Sequence, residues 1–411
     1  MPSSTPPDAG PGRPLRLLLG AFGDPGHAFP MIALGRALRA CGHEVTLQTW
    51  SRWQADVERE GMRFAAAPEY HVFPTRERPL KPFEAVTRAT RDTLPLVREL
   101  RPDVVVADIL TLAPALAAEL AGVPGGTLIP HVDPRPARGA PPFSLGARMP
   151  RTAAGRRMWD ALAPFVGRGL ALGRTELNET RARLGLPPQS RVHGGISERL
   201  ALVATFPRLE YPREWPPGSH VIGPLLWEPP AVDVALPPGE GPLVLVAPST
   251  SQDAEQLLVR SALTGLRSLR DVRTLAIGDR DALLAAVGPL PEHMAIAPWA
   301  SYARTMPACD VVVCHAGHGT LARALASGCV TVCAPIAGDM NECAARVDWA
   351  GAGVRIPRRL IGRRSVRLAV ERALGEPRLR AAAAGFEHWY ESHDPAGDAA
   401  ALVEDLAAGR R

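Results

Sequence analysis

One pattern, present twice, constrains this chain more than any other feature. Asp103-Val104-Val105-Val106-Ala107-Asp108 is a short apolar run ending in a carboxylate, and Asp310-Val311-Val312-Val313-Cys314-His315 is a similar run ending in an imidazole. Each leads into a helix-patterned stretch (Ala113 to Leu120; Thr320 to Ala326), then a glycine (Gly122; Gly328), then a second apolar run that stops at a proline (Pro130; Pro335). A continuous β-branched run reads as a strand buried on both faces. Strand, helix and strand in that order make a βαβ unit of a parallel sheet. Its recurrence at nearly constant internal spacing predicts two similar α/β lobes; the alternative is a chance likeness between two βαβ units.

The rest of the chain fits that division. Leu15 to Leu19 reads as a buried strand ending at Gly20, and a glycine-bearing loop runs from Gly20 to His27. A helix is expected from near Pro30, with Met31, Ile32, Leu34 and Leu38 on its apolar side, and His43 to Gln48 is the next strand. The proline-rich stretches Tyr211 to Pro217 and Pro224 to Pro242 carry few periodic apolar positions and read as a linker. The second lobe opens with a strand, Leu243 to Ala247, and a helix over about Asp253 to Leu269. The expected layout is a disordered terminus over 1–14, a first lobe over 15–218, a linker over 219–242, a second lobe over 243–385 and a helical C-terminal segment over 386–411.

Composition narrows the class. A chain of 411 residues has room for two domains of about 100–200 residues each. The formal net charge is +5, with basic residues spread along the chain, which suits a mild preference for anionic ligands and argues against a nucleic-acid partner. The six cysteines form no CxxC pair and mostly sit in apolar runs, as buried reduced thiols do. No apolar run approaches the roughly 20 residues needed to span a bilayer. The start lacks the basic-then-apolar pattern of a signal peptide, so a cytoplasmic protein is expected.

Chemistry concentrates where the second repeat's strand meets its helix, at His315-Ala316-Gly317-His318-Gly319-Thr320. Glycines let a backbone approach a ligand closely or take positive φ. The free amides and the dipole of a helix start favour an anion, two imidazoles can donate to phosphate oxygens, and Thr320 can cap. The loop Pro248-Ser249-Thr250-Ser251 ends the lobe's first strand and opens on the same sheet edge.

With those residues stated, the stretch from Trp299 to Gly353, which also includes Ala324-Leu325-Ala326-Ser327-Gly328, Pro335, Asp339 and Gly351-Ala352-Gly353, resembles the donor signature of inverting nucleotide-sugar glycosyltransferases. The likeness is to the actinobacterial branch that decorates antibiotics and other natural products. Gly26-His27-Ala28-Phe29-Pro30 with Gly42-His43-Glu44-Val45 resembles the N-terminal motif of that family, and Ile222-Gly223-Pro224 fits its linker. The resemblance implies the α/β GT-B architecture, two facing Rossmann-like doubly wound domains with the active site in the cleft between them.

By the same resemblance His27 is the general base, Asp108 its orienting partner and Asp24 an alternative base. Trp299 stacks on the nucleobase. His315, Gly317, His318, Gly319 and Thr320, with Ser249 and Thr250, hold the diphosphate, and Asp339 contacts the sugar. Imidazole suits the base role because its reference pKa of about 6.5 lies near neutrality. Phe73, Phe83, His131 and Phe143 are candidates to line the acceptor site. Each assignment has a plainer counterpart: His27 bonded within its loop, Asp108 capping a helix, Trp299 in the core, His318 facing solvent.

The implied partners are a nucleotide-sugar donor and a small hydrophobic acceptor, with a homodimer admissible. No cofactor and no metal are expected, because helix amides and an imidazole can carry the diphosphate charge. Three positions depart from the family pattern. Arg323 stands where an acid usually holds the ribose, Met340 replaces an amide donor, and Cys343 replaces an Asn. These departures make a TDP-linked deoxysugar the better-fitting donor. They also keep open a nucleotide-sugar epimerase of the same fold and a non-catalytic auxiliary partner of a transferase.

Overall fold

The computed structural model describes residues 13–68, 82–231, 233–248, 253, 255–336 and 338–410. Seven strands form the first sheet: β1 (Arg16–Gly20), β2 (Glu44–Thr49), β3 (Arg63–Ala66), β4 (Val104–Asp108), β5 (Gly125–Ile129), β6 (Ala201–Val203) and β7 (Ser219–Val221). Six form the second: β8 (Leu243–Ala247), β9 (Arg273–Ile277), β10 (Met294–Ala297), β11 (Val311–Cys314), β12 (Val330–Cys333) and β13 (Gly353–Arg355). Every strand pairing is parallel. The orders are β3-β2-β1-β4-β5-β6-β7 and β10-β9-β8-β11-β12-β13, so both lobes are doubly wound and the two repeats are the β4 and β11 units.

The helices that cover the first sheet are α1 (Pro25–Ala40), α2 (Gln54–Arg59), α3 (Pro82–Leu100), α4 (Leu112–Leu120) and α5 (Ala153–Arg183). The second carries α6 (Leu257–Leu266), α7 (Arg280–Val287), α8 (Tyr302–Thr305), α9 (His318–Ala326), α10 (Asp339–Ala350), α11 (Arg363–Gly375) and α12 (Pro377–Glu391). A last helix, α13 (Pro395–Ala407), leaves the second lobe and returns to the first. Its Ala399, Ala400, Val403 and Leu406 are buried in the same core as Leu34 and Leu38 of α1. Glu404 of α13 also pairs with Nε2 of His43 at 2.8 Å. Likewise β7 extends the first sheet past residue 218, the expected end of the first lobe.

The helix expected from Pro30 begins five residues earlier, at Pro25. A proline at the first position of a helix forfeits no bond, since that amide has no partner there. Pro30 lies inside the helix and is tolerated at the loss of one backbone hydrogen bond. His27 is therefore placed on the first turn of a helix rather than in a loop.

In each sheet the strand order reverses between two neighbours, β1 and β4 in one and β8 and β11 in the other. The crevice outside the carboxyl ends of such strands is where doubly wound sheets bind ligands. The candidate residues stand there: the loop to His27 follows β1, Asp108 ends β4, Asp253 follows β8 and His315 follows β11.

Candidate active site

His27 and Asp108 meet. Nδ1 of the ring lies 2.8 Å from Oδ1 of the carboxylate, and the amide of Phe22 donates to Oδ2 at 3.3 Å. Asp108 is buried and accepts at both oxygens, so the neutral His27 ring carries its proton on Nδ1 and leaves the Nε2 lone pair free. Burial lowers the pKa of His27, but the bond and charge of Asp108, with smaller help from Asp24 and Asp339, outweigh it and hold the value above 6.5. Helix α1, which carries His27 on its first turn, touches α9 of the second lobe. Asp24 is exposed and its carboxylate faces Arg52 at 3.5 Å, so the geometry favours His27 over Asp24 as the base.

Aromatic rings surround His27. Phe22 stands edge-on at 6.0 Å and packs on Trp50 at 4.9 Å; His131 stands edge-on at 6.3 Å and Phe143 lies 5.9 Å beyond it. Gly23 has no side chain because a Cβ there would collide with the Trp50 indole. His131 donates from Nδ1 to the carbonyl of Val132, leaving Nε2 as an acceptor. Burial, with His27 beside it, keeps the pKa of His131 below the usual value. Phe83 lies under the guanidinium of Arg183, 4.8 Å from its ring centre, at the contact of α3 with α5. Phe73 lies outside the described residues, as do Ser249 and Thr250.

On the second lobe the strand–helix junction leaves backbone amides open. Ala316, rather than a glycine, takes the left-handed conformation, at φ 64°. Gly317 and Gly319 have ordinary space around them: a Cβ on either would meet no atom within 4 Å, so the room above the helix start is not filled by the chain itself. Among the described residues the amides of His318, Gly319 and Thr320, the first turn of α9, find no acceptor. Trp299 is 51% exposed at the end of β10, not in the core. Asp339 opens α10 and is partly exposed.

The two imidazoles of this loop differ from the expectation of paired phosphate donors. His315 is buried with both ring nitrogens occupied, Nδ1 by the carbonyl of Ala334 at 2.8 Å and Nε2 by Asp253 at 3.1 Å. Asp253 also accepts from the amides of Leu257 and Leu258, so one carboxylate starts α6 and holds His315. His318 turns into the first lobe, where Nε2 meets the hydroxyl of Thr205 at 2.9 Å and the Pro130 carbonyl faces the ring. Burial, and then His131, push its pKa down to about 3, so the ring is neutral. The ring is a strut between the lobes, and only the backbone amide of His318 is open at the helix start.

The family departures take other roles here. Met340 and Cys343 are buried, Cys343 in the core that joins the lobes. Arg323 is half-buried; burial lowers its pKa and Glu228 partly offsets this. A second cross-lobe contact lies nearby in the chain. Arg346 of α10 donates to Glu210 at 2.6 Å, to the Leu209 carbonyl at 3.1 Å and to Glu342 at 2.8 Å, and lies over the Tyr211 ring. Among the described residues no group of three His, Cys, Asp or Glu side chains is arranged to hold a metal. Asp279-Arg280-Asp281 has the spacing of a metal-binding pair, but Asp279 spends its carboxylate capping α7. Among the described residues no helix is long and apolar enough to cross a membrane.

Comparisons with known proteins agree with this arrangement. Residues 274–400 match the family profile of the erythromycin biosynthesis protein CIII-like C-terminal domain. The chain is 29% identical to 4'-demethylrebeccamycin synthase of Lentzea aerocolonigenes over 426 residues, covering 95% of this chain and 99% of that protein. It is 27% identical to O-mycaminosyltylonolide 6-deoxyallosyltransferase of Streptomyces fradiae, covering 96% and 98%. In fold it is similar to the glycotransferase of kitacinnamycin (TM-score 0.76, 21% identity, 96% and 100% covered) and to glycosyltransferase VinC in complex with dTDP (TM-score 0.72, 18% identity, 96% and 100% covered). The resemblance read from the sequence is borne out: this chain has the GT-B fold and is similar to glycosyltransferases of natural-product biosynthesis, and its residues 274–400 match an erythromycin biosynthesis protein CIII-like C-terminal domain.

Proposed function

We propose that this glycosyltransferase moves a sugar, a deoxyhexose by preference, from a TDP- or UDP-sugar to a hydroxyl of a small apolar natural product, with inversion and without a metal. The observation that carries the reading is the His27–Asp108 pair in the same cleft as the unpaired amides of α9. His27 Nε2 removes the acceptor proton as the oxygen attacks the anomeric carbon from the face opposite the diphosphate. The bond from that carbon to the phosphate oxygen breaks, and the growing negative charge meets the amides of His318, Gly319 and Thr320 and the positive end of α9. Asp108 steadies the imidazolium that forms.

Trp299 stacks on the base, Thr320, Ser249 and Thr250 add hydroxyls, and Asp339 takes a sugar hydroxyl. A diphosphate competes with Asp253 for the Nε2 side of His315. His131 and Phe143, together with Phe22 and Trp50, wall the acceptor. The preference for a deoxysugar rests on Met340 and Cys343, apolar and buried where polar sugar contacts were the family expectation. The preference for TDP is supported by Arg323 in place of an acid that would grip ribose hydroxyls, and by a fold neighbour solved with dTDP.

The test is His27→Ala assayed for transfer from TDP-deoxysugars and TDP-glucose to a panel of phenols and alcohols, with dTDP binding by calorimetry and product stereochemistry by NMR. Transfer should fall by about 10²–10⁴-fold with dTDP binding retained. EDTA should leave the wild-type rate unchanged. Transfer by the variant close to wild type sinks the base assignment, and free epimerised sugar without acceptor sinks the transfer reading.

A further inference from the structure

Helix α5 carries a row of exposed apolar side chains. Met158, Leu162, Phe165 and Leu172 are exposed at 52%, 40%, 68% and 64%. At about 100° per residue they fall within an arc of roughly 80° and run for about 21 Å along the helix. The half-buried Trp159, Val166 and Leu170 fall on a separate arc, so the body of the protein is met by one face and the exposed stripe points elsewhere. A surface helix normally turns its apolar stripe to the core; here a second stripe has no core to meet.

One flank of the stripe is basic, at Arg157 and Arg168. From Ala153 to Thr175 the helix carries Arg156, Arg157, Arg168 and Arg174 against one acid, Asp160. Asp160 is engaged already, accepting from the Gly139 amide at 2.6 Å. Arg157 and Arg168 border the stripe, have no carboxylate partner among the described residues, and Arg168 sits 6.0 Å from the Phe165 ring. A second copy laid antiparallel on the stripe would set basic flank against basic flank. A convex apolar ridge edged by unpaired guanidinium groups instead complements an interface that is flat, apolar below and anionic at its surface.

We propose that α5 is a membrane-surface element that docks this protein on anionic phospholipid, with Met158, Leu162, Phe165 and Leu172 entering the acyl boundary and Arg157 and Arg168 on the headgroup phosphates. The placement is independent of the sugar-transfer reading, since none of these residues is given a role in that reaction.

The experiment is co-sedimentation of the full chain with vesicles of phosphatidylcholine alone or mixed equally with phosphatidylglycerol. Two variants accompany it: Phe165→Asp with Leu172→Asp, and Arg157→Glu with Arg168→Glu. Wild type should partition onto the mixed vesicles and much less onto phosphatidylcholine, and roughly 0.5 M salt should release it. Each variant should bind at least about 10-fold more weakly, with dTDP binding and thermal stability kept. The arginine variant leaves the apolar stripe intact, so it decides the matter should the aspartate variant fail to fold. No binding of wild type to mixed vesicles overturns the proposal. So does equal binding by both variants, or a wild-type dimer that the aspartate variant dissociates while vesicles capture neither.

Discussion

Replacing Asp108 with Asn tests the proton path with a magnitude that the local hydrogen bonds set. Asp108 receives His27 Nδ1–H on one oxygen and the Phe22 amide on the other. Asparagine keeps the shape but has one acceptor end and one donor end. With its oxygen toward Phe22, its NH2 faces Nδ1 of His27, and the ring proton must move to Nε2, where the base needs its lone pair. The opposite rotamer restores the tautomer but sets two N–H groups against each other at Phe22, at about 1–3 kcal/mol. That holds the productive form to about one part in 5 to 150. Loss of the charge that steadies the imidazolium multiplies this, so kcat/KM should fall by about 10²–10⁴-fold.

The pH profile gives a second readout. The neutral ring is the base, so the wild-type rate should drop as pH falls through the raised pKa of His27. In Asp108→Asn burial is opposed only by Asp24 and Asp339, and the acid limb should move to lower pH. The stability sign runs the other way. A histidine with a raised folded pKa stabilises fully below its unfolded value and loses that contribution as pH rises through the folded value, so the variant should lose stability chiefly on the acid side. The assays are dTDP release across pH and thermal unfolding across the same range. A kcat/KM within about threefold of wild type, or an acid limb that stays in place, would refute the reasoning.

Four further substitutions probe the cleft and the contacts between lobes. His318→Ala removes the strut to Thr205 and should destabilise by about 1–3 kcal/mol in urea unfolding while raising the donor KM; Thr205→Val should move both in the same direction, and unchanged stability in both would remove the strut from the account. Arg346→Met leaves Glu210 and Glu342 buried without their cation and should cost about 3–5 kcal/mol by the same measurement, whereas a neutral effect would mean that the carboxylates find other partners. Trp299→Ala should weaken dTDP binding by about 1–3 kcal/mol in calorimetry, and an unchanged Kd would show that the exposed indole does not stack on the base.

The central strands, the doubling of the fold and the residues at the strand ends were legible in the sequence because they depend on local pattern. Val104 to Asp108 and Val311 to Cys314 read as strands from their own composition, and Asp108 and His315 gain their place by ending or following them. What escaped depends on partners far along the chain. Asp253 lies 62 positions from His315 and Thr205 lies 113 from His318, and no short-range pattern encodes either pair. His318 looked like a phosphate ligand because it stands in a glycine-rich loop at a helix start; its ring turns the other way because the first lobe offers a buried hydroxyl, that of Thr205. Phe22 and Trp50 were missed for a similar reason, since an aromatic wall needs two loops to come together. The helix start was misjudged at Pro30 because a proline inside a helix is unfavourable on local grounds, and tertiary packing of Met31, Ile32 and Leu34 overrides that cost.

The return of α13 to the first lobe bears on how such enzymes can be recombined. A hybrid that joins one transferase's acceptor half to another's donor half by a single cut in the linker carries the foreign α13 onto a surface it did not evolve with. Val403 and Leu406 would meet the wrong neighbours, and His43 would lose Glu404 unless the donor parent supplied an equivalent acid. Two junctions serve better, one near Pro224 and one at the short break after Glu391, so that the last helix travels with the half whose core it completes.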